Sequence, residues 1–90
     1  MSAIVEPALP EPRYSFGADE FLFCEIDEAM SFHANFKALA ISNELRRARI
    51  PGIVEVAPAN ASYLVRFDPD RLKPADLLAE ARRLYDAITT

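Results

Sequence analysis

The chain has 90 residues, which is the size of one domain, and a second hydrophobic core would not fit. Hydrophobic residues make up 51% and charged residues 27%, as in folded proteins and unlike disordered ones. The formal net charge is −4 and the sequence pI is about 4.9, so nucleic acid is not expected as a partner. No signal peptide or apolar span is recognisable, and we expect a cytoplasmic protein that does not bind membranes.

The first 13 residues are predicted to form a flexible leader, and residues 14–90 the folded domain. The leader holds three of the seven prolines and has no periodic apolar pattern. Acidic charge is concentrated at this end of the chain: residues 1–30 carry seven acids and one base, whereas the other sixty carry seven acids and nine bases.

The first predicted elements are a strand and a helix. A strand is predicted over residues 21–26, and a short strand at 14–16 would precede it, after which residues 17–19 suggest a turn or bulge. Ser31 can cap a helix that runs to about Arg49, where Pro51-Gly52 supplies the stop signals.

A hairpin and a second helix follow. Residues 53–56 and 63–67 are rich in β-branched and aromatic side chains, and the turn-forming segment 58–62 separates them. Pro74 fits the first turn of a helix that extends to about Ile88. This helix has one continuous apolar stripe, formed by Leu77, Leu78, Ala81, Leu84, Tyr85 and Ile88.

The order β-α-β-β-α predicts an α+β fold, a ferredoxin-like two-layer sandwich in which the last strand is missing. The missing strand would leave an open sheet edge, to which a partner strand or a second copy of the chain could add. Alternatively, residues 3–5 of the leader would supply the fourth strand.

The first helix has two apolar stripes. One is formed by Phe32, Phe36, Leu39 and Ala40, and the nearly opposite one by Ala34, Ala38, Ile41, Leu45 and Ala48. A helix that lies on a small sheet needs only one apolar face, so Phe32, Phe36 and Leu39 are candidate partner-binding residues. The alternative is a thick core in which loops and the leader partly bury both stripes.

No catalytic, cofactor-binding or metal-binding residues are predicted. Two glycines cannot build a glycine-rich phosphate loop, and one histidine with one cysteine cannot build the usual zinc sites. Cys24 lies in an apolar run and is expected to be a buried structural residue. His33 is expected on a helix surface, and Glu25, Asp27 and Glu28 on a solvated strand end.

A sequence pattern in the second half of the chain resembles the N-terminal subdomain of allophanate hydrolase subunit 1, whose family also includes the matching parts of 5-oxoprolinase and of the urea carboxylase carboxyltransferase domain. The pattern is a helix ended by Pro-Gly, a Val/Ile-Glu-Val strand, a proline-containing turn, an apolar strand that closes on Asp-Pro, and a helix opened by Pro and an acid. The matching residues are Pro51-Gly52, 53–56, Pro58, 64–67, Asp68-Pro69, and Pro74 with Asp76.

The resemblance implies a ferredoxin-like topology and a role within a larger assembly. Members of the family usually continue into a cyclophilin-like domain that pairs with a second subunit, so ATP-dependent amide hydrolysis cannot be placed on any residue of this chain. The leading hypothesis is a non-catalytic accessory subunit or module of an allophanate hydrolase, 5-oxoprolinase or biotin-dependent carboxylase complex. The alternative is an independent regulatory protein that inhibits a kinase or senses a small molecule as a ferredoxin-like dimer.

Overall fold

The computed structural model describes residues 11–18, 20–26 and 32–88. The elements are β1 (Arg13–Gly17), β2 (Phe21–Glu25), α1 (Phe32–Ala48), β3 (Ile53–Ala59), β4 (Ser62–Phe67) and α2 (Pro74–Ala87). Most of the predicted leader, the cap residue Ser31, Asp27 with Glu28, and the strand considered at residues 3–5 lie outside the described residues.

The four strands form one antiparallel sheet in the order β1-β2-β4-β3, and the two helices form the second layer. The predicted α+β, ferredoxin-like class is confirmed. The edge position beside β2, which the last strand of a complete ferredoxin-like fold would take, is occupied by β1 with the same antiparallel pairing. The prediction that another chain fills this position therefore loses its basis, because the short strand predicted at 14–16 fills it instead.

The hairpin of β3 and β4 is longer than predicted. The predicted turn over residues 58–62 is wrong, because Ala59 pairs with Ser62 and only Asn60 and Ala61 form the loop. Pro58 lies inside β3, opposite Tyr63, although proline lacks the N–H that a ladder uses. Proline is tolerated here because β3 is an edge strand, which has a partner on one side only.

The core lies between the sheet and the helices. Alternate residues of the strands face the helices, so Leu22 and Cys24 of β2 are fully buried. The apolar stripe of α2 is confirmed, because Leu77, Ala81 and Leu84 are buried in the same core. The other buried apolar residues are Ile26, Ala34, Ala38, Ile41, Leu45, Val56, Ala61, Tyr63, Val65 and Phe67.

Candidate protein-binding surface

The outward side of α1 carries exposed apolar residues. Phe32 is 92% exposed, Phe36 53% and Leu39 48%. They lie at positions i, i+4 and i+7, which places them on one face of the helix. We call these three residues the α1 outer stripe; the structure brings together the residues that the sequence singled out as partner-binding candidates.

The opposite side of α1 explains why the large side chains point outward. Ala34, Ala38, Ile41 and Leu45 are at most 1% exposed and pack on the sheet, where the two alanines let the helix approach closely. Ser42 of the same helix is also fully buried. Its hydroxyl donates to the carbonyl oxygen of Ala38 at 2.8 Å, so its burial leaves no orphaned donor.

Contacts to neighbouring elements border the outer stripe on both sides. On the α2 side, the Lys37 ammonium lies 3.8 Å from the centre of the Tyr85 ring. Partial burial lowers the pKa of Lys37, and the Asp86 carboxylate opposes that shift. On the β3 side, Arg46 donates from Nε and Nη2 to the carbonyl oxygen of Val56 at 3.3 and 2.8 Å. These contacts hold α1 in one orientation and leave its outer stripe facing solvent.

The sheet face away from the helices carries a second apolar area. Phe23 is 40% exposed and lies opposite Leu64 of β4, which in turn pairs with Ala57 of β3. Sequence reasoning did not select this area. The alternation of side chains along β2 could have indicated it, because Leu22 and Cys24 face the core and Phe23 therefore lies on the other face of the sheet.

The cysteine is buried and unreactive in character. Cys24 lies opposite Tyr14 on β1 and opposite Tyr63 on β4. Burial raises the pKa of the Cys24 thiol to about 11, although the nearby Tyr63 and Tyr14 hydroxyls act to lower it. Burial likewise raises the pKa values of Tyr14 and Tyr63, and neither hydroxyl finds a hydrogen-bonding oxygen or nitrogen among the described residues. The thiol is therefore protonated at neutral pH, which removes its main route to nucleophilic chemistry.

The remaining polar candidates do not converge on one site. Glu25 forms an ion pair with Arg13 across the β1–β2 pair, and His33 is half-buried on α1. Over the residues that the structure describes, no three His, Cys, Asp or Glu side chains cluster so as to hold a metal ion. No helix within the same residues is long and apolar enough to cross a membrane.

Comparison with known proteins shows which protein family the chain belongs to. The family described as "Carboxyltransferase domain, subdomain C and D" matches residues 12–90 of the chain. The chain belongs to this carboxyltransferase-domain family. The resemblance seen in the second half of the sequence is thereby confirmed. No curated protein matches the chain.

Solved structures share the fold of this carboxyltransferase-domain chain. Urea amidolyase from K. lactis superposes with a TM-score of 0.80 at 21% identity, over 90% of this chain and 5% of that one. The uncharacterized protein PH0987 from Pyrococcus horikoshii gives 0.74 at 17% identity, over 83% of this chain and 35% of that one. TTHA0988 gives 0.66 at 32% identity, over 70% of this chain and 13% of that one. The chain thus spans about a third of the length of one of these proteins and far less of the other two.

Proposed function

We propose that this carboxyltransferase-domain chain is a non-catalytic module of a larger complex of the allophanate hydrolase, 5-oxoprolinase or biotin-dependent carboxylase type. In this proposal it acts through protein contacts, and the α1 outer stripe is the surface that a partner covers. The observation that carries the proposal is the exposure of Phe32, Phe36 and Leu39 on a helix whose other face already fills the core.

The chemistry of the stripe suits a protein partner. Burying a phenylalanine or leucine side chain contributes about 1.5–3 kcal/mol of favourable free energy. A partner that covers these three side chains would therefore gain binding free energy from each of them. Aromatic residues are enriched among the few side chains that carry most of the energy of an interface. The stripe itself contains no charge, while Lys37 and Arg46 stand beside it and would lie at the polar rim.

The relatives indicate what kind of partner to expect. The chain corresponds to 5% of the K. lactis urea amidolyase chain and 35% of PH0987, so most of each of those chains has no counterpart among these 90 residues. We propose that the partner is a protein that carries the other parts of a carboxyltransferase assembly.

Co-purification from the source cell tests the proposal. Tagged wild-type chain should capture a carboxyltransferase or carboxylase-family protein, identified by mass spectrometry, and the double variant Phe32→Ser/Phe36→Ser should lose it. Val54→Ser is the matched control, since Val54 is 61% exposed but lies on β3, away from the stripe. Capture that survives the double variant would contradict the proposed surface. Capture of a kinase in place of a carboxylase-family protein would favour the regulatory alternative.

A further inference from the structure

A cleft of about 430 Å³ lies where the end of α1 meets the start of β3. None of the three outer-stripe residues lines it, although Arg46 borders both; its walls come from the last turn of α1, the Pro51-Gly52 turn, the first residues of β3 and the loop before α2. Its charged lining residues are three arginines and one carboxylate, which gives them a net charge of +2: Arg46, Arg49, Arg71 and Glu55.

The backbone around the cleft is fixed by short contacts. The amide of Asp68 donates to the carbonyl oxygen of Gly52 at 2.7 Å, and the amide of Leu72 donates to the carbonyl oxygen of Asp68 at 2.9 Å. Gly52 packs so closely on Leu72 that a Cβ on the glycine would lie 2.6 Å from the Leu72 Cβ. The loop that carries Arg71 is therefore joined to the turn that follows Arg49, so the backbone at the two arginines is held side by side.

The arginines of this cleft differ from the others in the described part of the chain. Elsewhere, arginines pair with carboxylates (Arg13, Arg47, Arg66 and Arg83) or lie over an aromatic ring (Arg82). Arg46 binds the Val56 carbonyl oxygen. Arg49 and Arg71 are exposed, and the structure gives neither of them an ion pair or hydrogen bond through its guanidinium group with another described residue. Arg49 and Arg71 both line the same cleft.

We infer that this cleft binds an oxyanion, either a carboxylate or a phosphate group, between the guanidinium groups of Arg49 and Arg71. Guanidinium groups bind these anions with paired hydrogen bonds, and Arg46 adds a third positive charge. The C-terminus of α1 contributes only about half a negative charge, which the three arginines outweigh. Ile50, Pro51 and Ile53 line the cleft beside the arginines, so it suits an anion attached to a short carbon skeleton.

Titration of the ¹⁵N-labelled full chain at low ionic strength tests the inference, with inorganic phosphate in one series and succinate in the other. We expect saturable shifts of the amide signals of Arg49, Gly52 and Arg71 with at least one of the two anions. The anion that binds more tightly identifies the source of the oxyanion, and comparable binding of both supports the shared chemistry.

Paired charge-removal variants make the test specific. Arg49→Gln/Arg71→Gln should weaken binding by about tenfold or more, since two charge-assisted contacts are lost. Arg47→Gln/Arg83→Gln removes the same number of positive charges from exposed sites that pair with Glu44 and Glu80, and should change the affinity less than about threefold. Absence of saturable shifts with both anions would overturn the inference. Equal weakening in the two double variants would also overturn it, because it would show a general charge effect.

Discussion

Gly52 has a backbone conformation that only glycine adopts without strain. Its φ is +100°, and a Cβ there would lie 2.6 Å from the Leu72 Cβ and 3.1 Å from the Leu72 nitrogen. We therefore expect Gly52→Ala to lower the free energy of unfolding by about 2–4 kcal/mol, combining backbone strain with overpacking. Urea denaturation measures this. Gly17→Ala is the control, because nothing lies within 4 Å of a Cβ at Gly17, and it should cost under about 0.5 kcal/mol. Equal effects of the two variants would contradict the steric explanation.

Cys24 makes stability sensitive to alkaline pH. Its pKa is about 11 in the folded chain and about 9 as an ordinary thiol, so between these values the folded state holds a proton that the unfolded state has released. The contribution of the protonated Cys24 thiol to the stability of the folded chain is complete below pH 9 and is lost as the pH rises through 11. We expect this thiol to account for a loss of about 1 kcal/mol between about pH 8 and 10.

The variant Cys24→Ala isolates that contribution, because it keeps Tyr14 and Tyr63, whose raised pKa values add a loss of the same sign at higher pH. Its free energy of unfolding will be lower throughout, but should fall less steeply than that of wild type over about pH 8–10. Parallel curves for the two proteins would show that the thiol does not titrate differently on folding.

Helix α1 allows its two faces to be compared by substitution. Phe32→Ser/Phe36→Ser should lower the free energy of unfolding by less than about 1 kcal/mol, because these side chains are 92% and 53% exposed. Ile41→Ala, on the buried face of the same helix, should cost about 2–4 kcal/mol through cavity formation. Thermal and urea unfolding of the purified variants give both values. A loss of several kcal/mol in the double variant would instead place the aromatic residues in the core.

Sequence patterns predicted where the helices and strands lie better than they predicted which strands pair in the sheet. Periodicity and stop signals were enough for α1, α2 and the β3–β4 hairpin, because those signals act within a few residues. The turn at Pro58 was wrong because proline is compatible with an edge strand, and edge position is a property of the whole sheet. The pairing of β1 with β2 was also missed, because the position of a strand at a sheet edge depends on the whole sheet and not on its local sequence.

Exposure of the α1 outer stripe also depended on the tertiary structure. The sequence offered two apolar faces on one helix and singled out Phe32, Phe36 and Leu39 as partner-binding, but the periodicity alone left open a core that buries both faces. The face with Ala34 and Ala38 is the one that packs, since small side chains let helix and sheet approach. The arginine cleft was not predicted, because Arg49 and Arg71 are 22 positions apart and their segments meet only in the folded chain, through the Gly52–Leu72 contact and the hydrogen bond from Asp68 to Gly52.

At the scale of the whole molecule, the two sheet edges are poor templates for self-association. In β3, Pro58 has no N–H, a register shift interrupts pairing between Ile53 and Glu55, and Arg46 covers the Val56 carbonyl oxygen. The other edge, β1, has five residues. Short, irregular and charged edges are the usual means by which proteins avoid pairing with their own copies.

We therefore expect the isolated chain to be a monomer, with the mass of 10.1 kDa in sedimentation equilibrium. A monomer's thermal midpoint does not depend on protein concentration, whereas that of a dimer rises with it, because mass action favours the associated folded state. Measurements over about a hundredfold range of concentration separate the two cases. A dimer that Phe32→Ser/Phe36→Ser dissociates would assign the α1 outer stripe to a second copy of the chain. A dimer that survives this substitution, with β1 amides that exchange slowly with solvent, would show strand addition at the β1 edge.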